Sequence, residues 1–274
     1  SNEVPCDWTA NKVAVDGKFN DWTGLSSTFY EDLNVMLSVS NDDERLYFQF
    51  RTKDPKWVRT IRMTGFTLYL DPEGGKKKDF FIRFKGGPSL KDLAKVGGRE
   101  NSDGMDGMPE RMKNMFTKIA DSSTTLTCYE KDNILEKFVT LDGSEGPSAA
   151  YDTCYGFYTY EFSIPLTESM VRYYGIGAEP GQFVGIGAEW GDMSALVKDM
   201  KQSAPMPDMS GGMPGGGKGG GGGRGGGGGR GVGGGSMPGG RGGGDMPQKQ
   251  EVWMKARLSL PPGSEQAKTT DDNG

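Results

Sequence analysis

Residues 33–50, LNVMLSVSNDDERLYFQF, decide the fold. Apolar side chains occupy every second position on both arms: Leu33, Val35, Leu37 and Val39, then Leu46, Phe48 and Phe50. A period of two predicts two β-strands with one buried face. The polar link 41–44 predicts a hairpin turn, because Asn and Asp tolerate the left-handed backbone of such turns. A hairpin is not stable alone, so the rest of the chain must cover its apolar face.

The same alternation recurs along the chain and supplies that cover. It is found in residues 64–71, 80–84, 124–130, 134–141, 155–164, 182–190 and 252–260. We predict a mainly β fold, an antiparallel β-sandwich of about nine strands. Helices are predicted only in inserted segments, and residues 142–150 are predicted as loop.

Two insertions interrupt the strands of what we predict to be a single domain, residues 1–274. Residues 86–122 are predicted as a short helical insertion, with a methionine-rich face that is typical of packing. Residues 205–249 are a Gly/Met/Pro-rich low-complexity insertion, in which positions 211–244 contain 24 glycines. Such a loop cannot offset its backbone entropy by burial. Residues 264–274 are predicted to be a loose tail.

The composition excludes several functional classes. The chain contains no histidine, so a Ser-His-Asp triad and most zinc or copper enzymes are excluded. Paired carboxylates would have to face each other across a cleft, and the sequence places no two acids in that way. We therefore predict that the chain is not an enzyme. Its net charge of −5 does not favour nucleic acid as a partner.

No apolar run is long enough to span a bilayer. The chain opens at Ser1 without a methionine, which we interpret as a trimmed chain, and a lipid anchor upstream of residue 1 is left open. Of the three cysteines, Cys128 and Cys154 are predicted to form a disulfide, since each lies in or beside a predicted strand. Three buried thiols, with Cys6 as the third, are the alternative.

Five motifs in order resemble a known family. They are VDGKFNDW (15–22), SVSNDDERLYF (38–48), FTLYLD (66–71), YTYEFSIP (158–165) and PGQFVGI (180–186). Together they resemble the family 9 carbohydrate-binding modules and related DOMON-like β-sandwiches. The chain also looks like uncharacterised envelope proteins of Bacteroidota-type bacteria that carry this domain with a Gly-rich insertion. The resemblance implies a non-catalytic sandwich in an extracytoplasmic location, in the periplasm, on the outer-membrane surface or secreted.

The resemblance also implies candidate sites. Family members clamp a sugar ring between aromatic side chains, and Trp57 and Trp190, with Asp71 and Asp192 at strand ends, are the predicted ligand-binding residues. The position of the family's clamp tryptophan falls near residues 61–63, which contain none. Packing in the core or at its rim is the alternative role for Trp57 and Trp190. Family members bind structural calcium through loop oxygens, and Asp16, Asn20 and Asp21 are the candidate ligands here. Turn formation is the alternative role for these three residues.

Two functions remain open. The first is an assembly module that contacts another envelope protein, with the glycine tract and the helical insertion as contact elements; the missing clamp tryptophan favours it. The alternative is a carbohydrate-binding module that recognises a glycan through aromatic side chains. RNA binding by the arginines of the tract is disfavoured, because residues 211–244 contain no aromatic side chain. Copper binding by Met206, Met209, Met213 and Met237 is disfavoured, because Met-Pro recurs there as part of a low-complexity pattern.

Overall fold

The computed structural model of the chain describes residues 2–87, 125–130, 133–169, 174–194 and 248–264. The chain divides into two units, Ser1–Met193 with Gln248–Gly274, and Ser194–Pro247. Of the second unit only Ser194 is described. The predicted insertions 86–122 and 205–249 and the predicted tail 264–274 lie outside the described residues, apart from a few residues at their ends.

The described residues form thirteen strands and one α-helix. The strands are β1 (Asn2–Val4), β2 (Asp7–Trp8), β3 (Thr28–Tyr30), β4 (Val35–Asn41), β5 (Arg45–Thr52), β6 (Phe66–Asp71), β7 (Phe80–Phe84), β8 (Thr125–Glu130), β9 (Asn133–Thr140), β10 (Ser148–Cys154), β11 (Phe157–Pro165), β12 (Phe183–Trp190) and β13 (Gln250–Arg257). The helix is α1 (Pro55–Thr64).

Two sheets form a sandwich, which confirms the predicted mainly β fold. The 7-stranded sheet has the order β1-β13-β12-β6-β7-β8-β9. The 6-stranded sheet has the order β10-β11-β5-β4-β2, and β3 also pairs with β4. The antiparallel prediction needs one correction, because β1 pairs with β13 and β2 with β4 in parallel. A second correction is β10, which occupies part of the predicted loop and pairs along its length with β11.

The predicted hairpin is confirmed and lies in the middle of the 6-stranded sheet. Strand β4 pairs with β5 from Val35 opposite Thr52 to Asn41 opposite Leu46. The carboxylate of Asp42 closes the turn by accepting hydrogen bonds from the backbone N–H groups of Glu44 (2.8 Å) and Arg45 (2.7 Å). The turn residues therefore serve the backbone.

The core fills the space between the two sheets. Its largest fully buried side chains include Trp190, Tyr160, Phe48, Phe50, Phe66 and Phe162. Phe66 of the 7-stranded sheet lies 5.1 Å from Phe50 and 5.4 Å from Phe162 of the other sheet, measured between ring centroids. Such contacts interlock the inner faces of the two sheets.

Helix α1 corrects the prediction that helices occur only in insertions. Asp54 caps it by accepting a hydrogen bond from the Lys56 N–H (2.8 Å), and Pro55 begins it. An Asp cap followed by proline is a signal for a helix start. Gly65 ends the helix with a φ of 89°. Val58 and Ile61 are on the buried side of the helix. Within the described ranges, no helix has the length and apolar character needed to cross a membrane.

The cysteine prediction is contradicted. Cys6, Cys128 and Cys154 are free thiols. Cys128 belongs to β8 of the 7-stranded sheet, whereas Cys154 ends β10 of the 6-stranded sheet. Burial raises the pKa of the Cys6 and Cys128 thiols to about 12, so both are neutral small apolar groups.

Candidate ligand-binding surface

The outer face of the 6-stranded sheet carries polar side chains that are buried. Ser38, Gln49 and Glu161 stand opposite one another on β4, β5 and β11, and each is at most 2% exposed. They are buried because residues 10–27 pass over this face. Val13 and Trp22 of that segment pack with Tyr47 of the sheet in a small apolar cluster of their own.

Glu161 is the anchor of the covering segment. Its Oε1 accepts hydrogen bonds from the Trp22 indole N–H (2.7 Å) and the Gln49 amide (2.9 Å). Its Oε2 accepts from the backbone N–H groups of Asp16 (3.0 Å) and Gly17 (2.8 Å). Four donors thus converge on one carboxylate. Two of the sequence motifs, 15–22 and 158–165, are joined in this way.

The segment can lie this close to the sheet only because residue 17 is glycine. Gly17 has a φ of 80°, and a Cβ there would lie 2.3 Å from the Asp152 nitrogen. Burial raises the pKa of Glu161 to about 7, and its four N–H donors act in the opposite direction. Burial also lowers the pKa of Arg51, while the nearby Glu161 raises it.

Beyond Glu161, the outer face opens to an aromatic surface. The ring of Phe19 lies 5.6 Å from the ring of Tyr155 and 6.1 Å from that of Phe157, between centroids. Arg51 of β5 and Lys53, which follows β5, lie beside these rings. We call the set of Phe19, Arg51, Lys53, Tyr155 and Phe157 the aromatic–cation patch.

Tyr155 is the most exposed ring of the patch, at 81% of its surface. It forms the two-residue link of the β10–β11 hairpin with Gly156, and both have positive φ, 47° and 76°. Such links favour Asn or Gly at the first position, because most other side chains are strained at a positive φ. An exposed tyrosine in a strained turn is a reason to look for a function.

The two cations of the patch lie over its rings. The Arg51 guanidinium carbon is 5.3 Å from the Phe19 centroid and 6.0 Å from that of Phe157. The Lys53 ammonium is 4.5 Å from the Phe157 centroid. Arg51 is held further by a hydrogen bond that its Nη2 donates to the Ser27 hydroxyl (2.9 Å). Cation–π contacts and this hydrogen bond therefore fix Arg51 beside the rings.

The patch combines the two elements that sugar recognition requires. The outward ring of Tyr155 is backed by Phe19, so it presents an apolar surface onto which the face of a pyranose can stack. The donors of Arg51 and Lys53 lie beside the other two rings of the patch, Phe19 and Phe157, and can bind oxygen atoms of a ligand. Such binding does not need an acid and a base that face each other across a cleft.

The structure brings the two predicted tryptophans together, but in the interior. The rings of Trp57 and Trp190 meet edge to face at 5.8 Å, and they are 8% and 1% exposed. The Trp57 indole N–H donates to the Leu33 carbonyl (2.7 Å). Both rings pack where α1 meets the sheet, so neither offers a surface to a ligand in this structure.

Of the two predicted acids, Asp71 lies away from the tryptophans. Asp71 stands opposite Gly185, whereas Trp190 stands opposite Phe66, so Asp71 and Trp190 lie at opposite ends of β6, roughly 17 Å apart at the rise of a strand. The Asp71 carboxylate is buried and accepts hydrogen bonds from the N–H groups of Glu73 (3.1 Å) and Lys77 (2.9 Å). Asp192 follows β12 and is half-buried.

Two of the predicted calcium ligands, Asp16 and Asp21, accept hydrogen bonds from backbone N–H groups of the covering segment. Asp16 accepts from the Lys18 N–H (2.8 Å), and Asp21 accepts from the Ala14 N–H (2.9 Å). Asn20 is exposed at the start of a 3-10 helix. Among the described residues, no three acidic, cysteine or histidine side chains are grouped so as to hold a metal ion. We therefore derive no calcium site from this segment.

Sequence reasoning missed the patch. Residues 155–164 were predicted as one strand, which hid the hairpin link at Tyr155. The available signal was Tyr155-Gly156 between two segments of strand-forming residues, because glycine after a tight link is typical of a hairpin. The contribution of Phe19 was not readable, since it depends on how Glu161 folds the covering segment back onto the sheet.

Comparisons with known proteins give solved structures of low similarity. No family model matches the chain, and no curated protein matches it. A family 9 carbohydrate-binding module of Caldicellulosiruptor kristjanssonii, solved with cellotriose, matches at 11% identity and a TM-score of 0.35, over 69% of this chain and 76% of that one. The same module with glucose matches at 10% identity and a TM-score of 0.35, over 70% and 78%.

A Bacteroides uniformis protein described as carbohydrate-binding matches at 9% identity and a TM-score of 0.37, over 69% of this chain and 83% of that one. The family of the first two structures is the one that the sequence motifs resemble. At these identities and TM-scores we draw neither fold nor ligand from the likeness.

Proposed function

We propose that this chain is a non-catalytic carbohydrate-binding module and that its ligand stacks on Tyr155 in the aromatic–cation patch. The observation that carries the proposal is the setting of Tyr155: its ring is 81% exposed, is backed by Phe19 and is held by a turn with a positive φ. An ordinary surface position would not favour an aromatic side chain in that conformation.

The rigidity of the patch supports the proposal. Tyr155 is tied to a short hairpin link, Phe19 to a segment anchored on Glu161, and Arg51 to Ser27. A ligand therefore meets groups that are already ordered, and little conformational entropy is lost on binding. We place this activity outside the cytoplasm, in keeping with the family that the motifs resemble.

A second candidate function, contact with a partner protein, is favoured by a different surface. Strand β9 ends the 7-stranded sheet, and its Phe138 is 69% exposed. An edge strand with an exposed aromatic side chain can accept a strand from another protein. This is the assembly role that the sequence favoured, placed on β9 instead of the glycine tract.

Calorimetry with a panel of oligosaccharides tests the carbohydrate proposal. We expect the wild-type chain to bind at least one of them, and Tyr155→Ala to lose about tenfold or more in affinity, since one stacked ring is worth about that factor. Phe138→Ala removes a ring of the other sheet that is 69% exposed and is the matched control, with affinity unchanged. If no oligosaccharide binds, or if both variants bind as the wild type does, the proposal is wrong.

A further inference from the structure

Among the described residues, neither cation of the patch pairs with a carboxylate, in contrast to Lys78 on the other sheet. On the 7-stranded sheet, Lys78 also lies over an aromatic ring, that of Tyr69 at 4.5 Å, but its ammonium pairs with Glu189 and Glu251, each at 3.0 Å. In the part of the chain that the structure describes, Arg51 and Lys53 form no ion pair with a carboxylate.

The acids near the patch are already engaged. Asp16 pairs with Lys18 at 3.3 Å and also accepts the Lys18 N–H. Asp152 accepts a hydrogen bond from the Thr153 N–H (2.7 Å). Glu161 lies beneath Arg51, and both of its oxygens are filled by the four donors of the covering segment and β5. None of these carboxylates reaches the surface side of Arg51 and Lys53 as an ion-pair partner.

The patch carries two positive charges on an acidic chain. The sequence has a net charge of −5, yet the Arg51 guanidinium lies over Phe19 and the Lys53 ammonium lies over Phe157, beside the exposed ring of Tyr155. A planar guanidinium next to an ammonium matches the oxygens of a carboxylate or a sulfate, and both bind more strongly where water is partly excluded by rings.

We infer that the patch selects an anionic glycan, one whose sugar ring stacks on Tyr155 while a carboxylate or sulfate group lies against Arg51 and Lys53. This inference rests on the carbohydrate-binding function proposed above and names the class of its ligand. The stacking ring supplies affinity for any suitable pyranose, and the two cations supply the preference for charge.

The test compares three oligosaccharides of matched length by calorimetry: a neutral gluco-oligosaccharide, a uronate oligosaccharide and a sulfated oligosaccharide. We expect at least one of the two anionic ligands to bind about fivefold or more tightly than the neutral one, and this preference to weaken as salt is raised. Which of the two binds tighter separates a carboxylate ligand from a sulfate ligand.

Lys53→Gln removes one exposed charge, and Lys76→Gln, at an exposed turn of the other sheet, is the control for net charge. We expect Lys53→Gln to weaken binding of the anionic ligand about three- to tenfold and to weaken binding of the neutral ligand less. If Lys53→Gln behaves as Lys76→Gln does, or if neutral and anionic ligands bind equally, the inference is wrong. In that case a loss of neutral binding in Tyr155→Ala would still support the proposed function, whereas absence of any binding would overturn both.

Discussion

The two outer faces of the sandwich carry aromatic side chains in opposite ways. On the 7-stranded sheet, Trp253, Tyr69, Phe81 and Tyr129 form a row in which neighbouring ring centroids are 6.0, 5.6 and 5.0 Å apart. The two middle rings, Tyr69 and Phe81, are only 7% and 8% exposed. On the 6-stranded sheet the aromatic–cation patch has three rings, and one of them, Tyr155, is 81% exposed.

The difference shows that the number of aromatic side chains does not identify a binding surface. In the row of the 7-stranded sheet each ring packs against the next, and Lys78 and Arg83 lie over Tyr69 and Phe81. Most of the aromatic area is thus used within the protein. In the aromatic–cation patch, one side of Tyr155 packs on Phe19 and the other stays available. A ring that is backed on one side only is the better candidate for a ligand.

On each outer face the arrangement of the rings depends on one residue of the sheet, and the two residues differ in kind. The row of the 7-stranded sheet crosses β12 at Gly187, which stands opposite both Trp253 and Tyr69. The absent side chain of Gly187 leaves room for the indole. The patch instead depends on Glu161, whose four hydrogen bonds hold the segment that supplies Phe19. One face is thus shaped by packing, and the other by a buried polar anchor.

The largest expected effect comes from removing that anchor. Glu161→Ala leaves the N–H groups of Asp16, Gly17, Trp22 and Gln49 without their acceptor in a buried site. We expect the free energy of unfolding to fall by about 3–5 kcal/mol, measured by urea denaturation. The control is Glu251→Ala, which removes an exposed ion pair with Lys78 and should cost less than about 1 kcal/mol. Equal losses in the two variants would contradict an anchoring role for Glu161.

A smaller loss is expected on the other face. A Cβ at Gly187 would lie 2.7 Å from the Trp253 ring, so Gly187→Ala must displace the indole and should lower the unfolding free energy by about 1–3 kcal/mol. The double variant Gly187→Ala/Trp253→Ala has no ring to displace. We expect the alanine to be nearly neutral in that background, in a double-mutant cycle. An equal cost in both backgrounds would show that the ring is not the cause.

The smallest expected effect concerns the hairpin link. Tyr155→Asn places a residue that tolerates the left-handed backbone at a φ of 47°, and we expect the melting temperature to rise by an amount equivalent to about 0.5 kcal/mol. The same variant should lose glycan affinity, because the stacking ring is gone. Tyr155→Phe keeps both the ring and the strain, and should change neither quantity. A less stable Tyr155→Asn would mean that the ring contact with Phe19 outweighs the strain.

Much of the fold was predictable because alternation is a local signal. The hairpin of β4 and β5, and strands β6, β7, β8, β9, β11, β12 and β13, follow from a period of two. Strand β10 was missed because SAAYDTC has small residues where the pattern needs large apolar ones. Helix α1 was missed because Pro55 follows the second arm of the hairpin, where a proline is readily read as the end of a strand, although proline also begins helices.

The candidate site was less predictable, because exposure depends on the whole assembly. The alternation in residues 182–190 places Trp190 on one face of β12. The sequence does not show that α1 brings Trp57 against the Trp190 ring. In the same way, Asp16 and Asp21 are of the residue type that is found in cation-binding loops. Only the fold shows that their oxygens accept hydrogen bonds from backbone N–H groups. The sequence shows which residue types are present, but it does not show which groups their side chains contact.

The parallel pairing of the first two strands has a consequence for how the protein is made. Strand β1 aligns Asn2 with Met254 and Val4 with Ala256, and β2 then pairs with β4 in the other sheet. The Ser259 hydroxyl donates a hydrogen bond to the Cys6 carbonyl, close to the same point. A nascent chain therefore holds its first strand without a partner until β13 has left the ribosome. Folding should finish only after nearly all of this sequence has been synthesised, and the wide separation of these contacts makes it slow.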